Sequence, residues 1–103
     1  MDLEQLRIFL SVVDCGSFTR AAEVLYISHS TTSRAVSALE RALGVRLLER
    51  DNRCVRLTAA GEVLCREGRQ LLLRVEAARE AVRAACCPGE TGRGRQKREA
   101  LLK

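Results

Sequence analysis

A cluster of small hydroxyls, one imidazole and one guanidinium carries most of the chemistry in this chain: Ser28, His29, Ser30 and Thr31, followed by Ser33, Arg34 and Ser37. At helical spacing His29, Ser30, Ser33, Arg34 and Ser37 fall opposite an apolar stripe of Val36, Leu39 and Leu43, with Thr32 as its one polar member. Hydroxyls donate or accept toward base edges and phosphates. A guanidinium can fork onto a guanine edge or a phosphate, and an imidazole offers either ring nitrogen. The major groove of duplex DNA admits one helix, so the pattern implies a helix whose outer face is meant for that groove. The plainer reading of the same residues is a solvated helix face.

Other chemistries find little here. His29 is the single histidine, and the five cysteines (Cys15, Cys54, Cys65, Cys86 and Cys87) contain no C-x-x-C pair. Neither a zinc site nor a disulfide framework is expected, and the thiols read as small apolar residues. A redox switch at the vicinal Cys86–Cys87 is the sharper alternative. There is no Gly-rich phosphate loop and no acid–base pair to place in a cleft, so the chain is read as neither an enzyme nor a cofactor binder.

The elements that must position this face can be read from caps and periodicity. Leu6, Phe9, Leu10 and Val13 recur at i, i+3, i+4 and i+7, predicting a helix over about residues 2–14. Asp2 suits its N-cap, with Gln5 at capping-box spacing, and Gly16 ends it. Ser17 caps a second helix over about residues 18–25, where Phe18, Ala21, Ala22 and Leu25 repeat the spacing. The paired alanines allow a crossing helix to approach closely. After the turn at residues 26–28, Ser28 caps a third helix that stops at Gly44. Thr32 on its apolar stripe needs a hydrogen-bond partner, and the carbonyl one turn earlier is in reach.

The period then changes. Residues 45–50 and 54–57 alternate apolar and charged side chains around Asp51–Asn52–Arg53, predicting a two-stranded hairpin, or wing. Thr58 caps a fourth helix over about residues 59–85. Gly61 replaces the acid of a capping box, and Glu62 favours the positive end. Leu64, Gly68, Leu71, Val75, Ala78 and Val82 step by four and three, a narrow heptad seam. A stripe this long predicts a partner helix, most simply from a second copy of the chain; packing of the seam on the chain's own first helix is the alternative. Pro88–Gly89 ends the pattern, and the basic, Gly-rich residues 88–103 are expected to be disordered.

Charge agrees with a polyanionic partner. The net charge is +5 over 103 residues. Residues 1–87 hold 13 Arg against 11 acids, and residues 88–103 hold 5 Arg or Lys against 2 Glu, so much of the excess lies in the tail. Within residues 28–58, Arg34, Arg41, Arg46, Arg50, Arg53 and Arg56 still outnumber Glu40, Glu49 and Asp51. No apolar run approaches the ~18 residues of a membrane span, and no signal segment opens the chain. A cytoplasmic protein without membrane contact is expected.

The order of motifs resembles one family. L-x-x-F at Leu6–Phe9, G-S-F-T-R-A-A-E-x-L from Gly16 and I-S-x-S from Ile27 are followed by S-R-x-V-x-x-L-E from Ser33. L-G-V-R-L-L-E-R from Leu43 and L-T-A-A-G from Leu57 complete the set. Together they resemble the winged helix-turn-helix of LysR-type transcriptional regulators, over roughly the first 85 residues. The resemblance implies a mainly α fold: three helices and a two-stranded wing in residues 1–58, a linker helix for dimerisation in residues 59–87, and the tail in residues 88–103.

Carried over by position, it implies that His29, Ser30, Ser33 and Arg34 face bases or nearby phosphates. Ser28, Thr31 and Ser37 lie on the same surface. Ser17, Thr19 and Arg20 would sit near the backbone, Arg50 on a phosphate, and Arg53 in the flanking minor groove. Leu64, Leu71, Val75, Ala78 and Val82 would pair two subunits. The implied function is sequence-specific regulation of transcription at an inverted repeat, as a homodimer or as a mixed dimer with a full-length relative. Three departures stand out. His29 replaces a usual Gln, Thr32 replaces a usual aliphatic, and the effector-binding half is missing, so no small-molecule effector site is expected in this chain. The alternative from another class is a winged-helix protein–protein adaptor dimerising through its last helix.

Overall fold

The computed structural model describes residues 1–50 and 54–86. The elements run α1 (Leu3–Cys15), α2 (Phe18–Leu25), α3 (His29–Leu43), β1 (Leu48–Arg50), β2 (Val55–Leu57) and α4 (Ala59–Ala85). Helices thus dominate, with one two-stranded antiparallel wing, as expected. No described helix is long and apolar enough to cross a membrane. The wing tip, residues 51–53, and the tail, whose disorder was expected, lie outside the described residues.

Each helix begins and ends where its local chemistry dictates. The Asp2 carboxylate accepts from the Gln5 N–H at 2.8 Å while the Gln5 side chain accepts from the Asp2 N–H, a complete capping box. Ser17 Oγ accepts from the Arg20 N–H at 3.2 Å, and Ser28 Oγ from the Thr31 N–H at 3.0 Å. Gly16 (φ 69°) and Gly44 (φ 71°) close α1 and α3 in the left-handed region. Tyr26 (φ 59°) closes α2 in the same region, and it is the one non-glycine residue among those described to do so.

Contacts divide the chain into two units, Met1–Gln70 and Leu71–Lys103. In the first, α1 packs on α2 and α3 and touches β2. Its core is Leu6, Phe9, Val12, Ala21, Val36, Leu39, Leu47 and Leu48, each at most 1% exposed. Ala21 and Ala22 are both buried, on a helix that packs against α1 and α3. Thr32 is fully buried, and its hydroxyl donates to the Ser28 carbonyl oxygen at 3.0 Å, the partner expected one turn earlier.

The wing departs from the alternation read in the sequence. The strand spans only Leu48–Arg50, and Val45 stays outside it at 45% exposure. Leu47 and Leu48 are both buried, although adjacent residues of a regular strand face opposite sides. Leu47 precedes the strand, and Glu40 of α3 holds the backbone of this stretch. Its Oε2 accepts from the N–H groups of Leu47 (2.8 Å) and Leu48 (3.2 Å), tying this stretch to the helix. From there the register is Leu48↔Leu57, Glu49↔Arg56 and Arg50↔Val55. Glu49 and Arg56 are thus opposite charges directly across the ladder, a mildly stabilising pair.

Thr58 joins the wing to α4. Its Oγ1 accepts from the Gly61 N–H at 3.0 Å and its hydroxyl donates to the Arg46 carbonyl oxygen at 2.6 Å. Gly61, Cys65 and Gly68 are the buried residues of α4, on one helical face. A Cβ on Gly68 would lie 2.8 Å from Leu6 Cδ1, so the start of α4 rests closely on α1. Burial pushes the Cys65 thiol pKa above its ordinary range, with Arg69 pulling in the opposite sense. The Arg69 guanidinium donates to Asp14 at 2.7 Å, and this hydrogen bond raises the Arg69 pKa further.

The second unit, taken by itself and over residues 71–86, is helical and contains no buried residue. Leu72 and Val75 are half-buried, and Leu71, Leu73, Ala78 and Val82 are exposed. Arg79–Glu76 and Arg83–Glu80 form i, i+3 ion pairs along it.

Candidate nucleic-acid interface

The candidate surface is built on the N-terminal turn of α3. Ser28 serves first as its cap: besides accepting from the Thr31 N–H, it donates its own proton to Thr31 Oγ1 at 2.8 Å. That leaves the Thr31 hydroxyl proton as the donor of the pair. His29, Ser30, Thr31 and Arg34 are exposed, while Ser33 and Ser37 are half-buried along the flank. The outward face of α3 is therefore polar, as its composition requires. The helix N-terminus adds N–H groups and a partial positive charge, both suited to anions.

Arg34 is partly oriented by its own helix. Its Nε–H donates to the Ser30 carbonyl oxygen at 3.4 Å, a long bond that leaves the rest of the fork available. Together with Thr31 it lines a shallow groove whose far wall is Asp2, Glu4 and Gln5 of the α1 N-terminus. These two carboxylates are neighbours of the reading surface that sequence inspection did not assign to it.

The remaining residues come from α2 and the wing. Ser17 is half-buried and occupied as the α2 cap, and Thr19 and Arg20 are exposed in the first turn of that helix. Phe18, the residue between them, connects all three elements. Its ring centroid lies 6.1 Å from that of His29 with the planes inclined by 46°. The Arg50 guanidinium sits over its face, with Cζ 4.3 Å from the centroid. The N-termini of α2 and α3 and the end of β1 thus meet on one ring, bringing His29 and Arg50 to one region. Arg53 lies outside the described residues.

Sequence reasoning placed Phe18 only in the apolar stripe of α2, which is half of its role: it is 8% exposed. Nothing local signals the stacking, because the cation comes from the wing. Glu40 was read only as part of a motif, and its hold on Leu47 and Leu48 is equally a tertiary matter. Of the proposed pairing residues, Leu64 is half-buried within Met1–Gln70, whereas Leu71, Val75, Ala78 and Val82 belong to the second unit. Among the described residues no group of three His, Cys, Asp or Glu could hold a metal ion.

Comparison with known proteins bears directly on this surface. Residues 3–62 match the family model described as bacterial regulatory helix-turn-helix protein, lysR family. The HTH-type transcriptional regulator TfdT of Cupriavidus pinatubonensis is 41% identical over 92 residues, covering 89% of this chain and 40% of that protein. The regulator ClcR of Pseudomonas putida is 44% identical over 92 residues, covering 89% of this chain and 31% of its own length. This chain therefore spans well under half the length of these curated relatives.

Solved structures agree. The CbnR_DBD–DNA complex superposes with a TM-score of 0.81 at 37% identity, covering 84% of this chain and 100% of that one. The BenM_DBD complex with catB site 1 DNA gives a TM-score of 0.80 at 36% identity, covering 82% of this chain and 94% of that one. Motif order, winged architecture and these matches lead to one conclusion: the chain belongs to the LysR family of bacterial regulatory helix-turn-helix proteins.

Proposed function

We propose that the chain is a sequence-specific DNA-binding regulator of transcription, acting in the cytoplasm as a dimer on an inverted-repeat promoter site. The observation that carries this reading is the exposed face of α3, with His29, Ser30, Thr31 and Arg34 outward at the N-terminal turn, beside the exposed Thr19 and Arg20 of α2. Both complexes named above hold DNA with a domain of this fold.

Arg34 and Ser33, with His29 and Ser30, read base edges in the major groove. Ser28, Thr31 and Ser37 flank them. Ser17, Thr19, Arg20 and Arg50 hold phosphates and set the register, and Arg53 enters the minor groove beyond. Leu64, Leu71, Val75, Ala78 and Val82 pair two α4 helices, from two copies or from one copy and a longer relative. The pairing spaces two α3 helices by a multiple of ~34 Å. The exposure of Leu71 (44%) and Val82 (63%) supports this, since large apolar residues on a narrow stripe gain from a partner.

The test is a fluorescence-anisotropy titration on duplexes selected from a random pool, against scrambled duplexes, at moderate salt. A preference of at least about 1000-fold for the selected site is expected, the lower end for specific over nonspecific binding. Equal binding to both would overturn the reading. Sedimentation of the free protein tests the dimer, and a monomer at micromolar concentration would overturn that part.

A further inference from the structure

We infer that Phe18 is a positioning residue for DNA contact: its ring seats the Arg50 guanidinium and the His29 imidazole, coupling the wing to the N-terminal turn of α3. The inference rests on the DNA-binding reading above and adds to it a residue that touches no DNA itself.

The argument begins with scarcity. The chain has three aromatic residues, two Phe and one Tyr. Phe9 is fully buried in the core and Tyr26 is 95% exposed. Only Phe18 stands at the junction of α2, α3 and the wing. Burial alone could be met there by an aliphatic side chain such as Leu, at the cost of some packing volume. An aliphatic side chain, however, has no quadrupole.

The ring of Phe18 has Arg50 over its face at 4.3 Å and His29 beside it at 6.1 Å. The first distance is well inside the ~6 Å range of cation–π attraction. A guanidinium seated on a ring face spends none of its N–H donors there, so its fork stays available for a phosphate.

The consequence is preorganisation. Arg50 closes β1, immediately before the wing tip, and a long side chain at such a place otherwise samples many rotamers. Fixing one beforehand lowers the entropy lost on binding. The same ring limits the swing of His29, so the phosphate contact and the base-reading turn are held in one register. A DNA contact by Arg50 therefore depends on residue 18 being aromatic, not only on its being apolar.

The experiment has a free-protein arm and a DNA arm. In the free protein, the side-chain protons of Arg50 should be shifted upfield by the ring current. The shift should vanish in Phe18→Leu and persist in Phe18→Tyr. Its absence from the wild-type spectrum would overturn the inference whether or not any variant folds.

In the DNA arm, affinity for a selected site is measured across salt concentrations for wild type, Phe18→Leu, Arg50→Ala and the double variant, each checked for native helicity. Phe18→Leu should weaken binding about three- to fivefold and flatten the log–log salt slope by up to about 0.9, the value of one phosphate contact. Arg50→Ala should cost clearly less when combined with Phe18→Leu than it does in wild type. Phe18→Tyr should restore both quantities.

Additive losses and an unchanged salt slope, with only the melting temperature lowered, would make Phe18 a core residue and nothing more. Failure of the wild type to discriminate any duplex, with the ring-current shift present, would instead overturn the DNA-binding reading and this role with it.

Discussion

Glu40 accepts the Leu47 backbone N–H at 2.8 Å, so a side chain of α3 anchors the segment by which the chain enters the wing. The same Oε2 accepts from Leu48 at 3.2 Å, and Arg46 approaches it at 3.9 Å. The carboxylate is only 15% exposed, so little water competes for it, whereas Arg46 at 72% contributes little. Glu40→Ala leaves two amides without their acceptor and should cost about 2–3 kcal/mol in urea denaturation. Glu40→Gln keeps an acceptor oxygen and should cost about half as much. If the Glu40→Ala protein proved as stable as wild type, the two amides would have found other partners.

This contact also marks where sequence reasoning stops. Caps were legible because they are local: Asp2, Ser17, Ser28 and Thr58 each satisfy an N–H three residues ahead, and Gly16 and Gly44 supply the left-handed turn. Helix faces were legible from a single period. The length of β1 was not, because the Leu47 and Leu48 amides are held by Glu40, a tertiary contact that no alternation pattern encodes. The seating of Arg50 on Phe18 was hidden for the same reason, since it joins a helix start to a strand end. The outward face of α3 could be read from composition alone. The groove wall of Asp2 and Glu4 facing Arg34 could not, because it needs the α1–α3 crossing.

The two buried glycines of α4 should respond differently to alanine. Either substitution gains about 1 kcal/mol of helix propensity. A Cβ at Gly61 would run into the Leu47 carbonyl oxygen, a backbone atom fixed by its bond from the Thr58 N–H, and would also meet Leu57 Cδ2 at 2.9 Å. At Gly68 the obstacle is Leu6 Cδ1 at 2.8 Å, a side-chain end that yields by small shifts more readily than backbone does. Gly61→Ala should therefore lose about 2 kcal/mol or more net, and Gly68→Ala should stay within about 1 kcal/mol of wild type. Thermal unfolding of the pair checks the order, and a reversal would refute it.

Tyr26 holds a left-handed conformation (φ 59°, ψ 41°) with its side chain 95% exposed. The Cβ strain costs about 1 kcal/mol, and so exposed a ring recovers little of it. Tyr26→Gly should stabilise the fold by about that amount and raise the melting temperature by roughly 4–8 °C. Tyr26→Ala keeps the Cβ and should change little. Equal effects from Gly and Ala would mean that strain is not the cause.

Thr32 is a buried hydroxyl whose acceptor, the Ser28 carbonyl oxygen, also receives the Thr32 N–H at 3.1 Å. Removing the hydroxyl therefore leaves that carbonyl with its backbone bond and creates no orphaned group. Thr32→Val should be neutral or stabilising by up to about 1 kcal/mol. Thr32→Ala, which leaves a small cavity, should destabilise by about 1–2 kcal/mol. Loss of stability in the Val variant would show that the second hydrogen bond matters more than the added methyl.

Arg34 and Arg20 are both exposed cations, on α3 and α2 respectively, yet their removal should read differently. If Arg34 reads a base edge, Arg34→Ala should cost about 1–3 kcal/mol on the selected site and far less on scrambled DNA, narrowing the ratio between them. Arg20→Ala should weaken both alike and reduce the salt slope by about 0.9, as the loss of one phosphate contact does.

The acids beside Arg34 complicate the first variant. Asp2 and Glu4 line the same groove, and without the guanidinium their charge faces the duplex uncompensated, weakening binding to every sequence. Arg34→Lys separates the two effects. It restores the positive charge but not the planar fork, so affinity on scrambled DNA should return while discrimination does not. Full recovery of discrimination by Lys would assign Arg34 to phosphate binding and leave base reading to His29, Ser30 and Ser33.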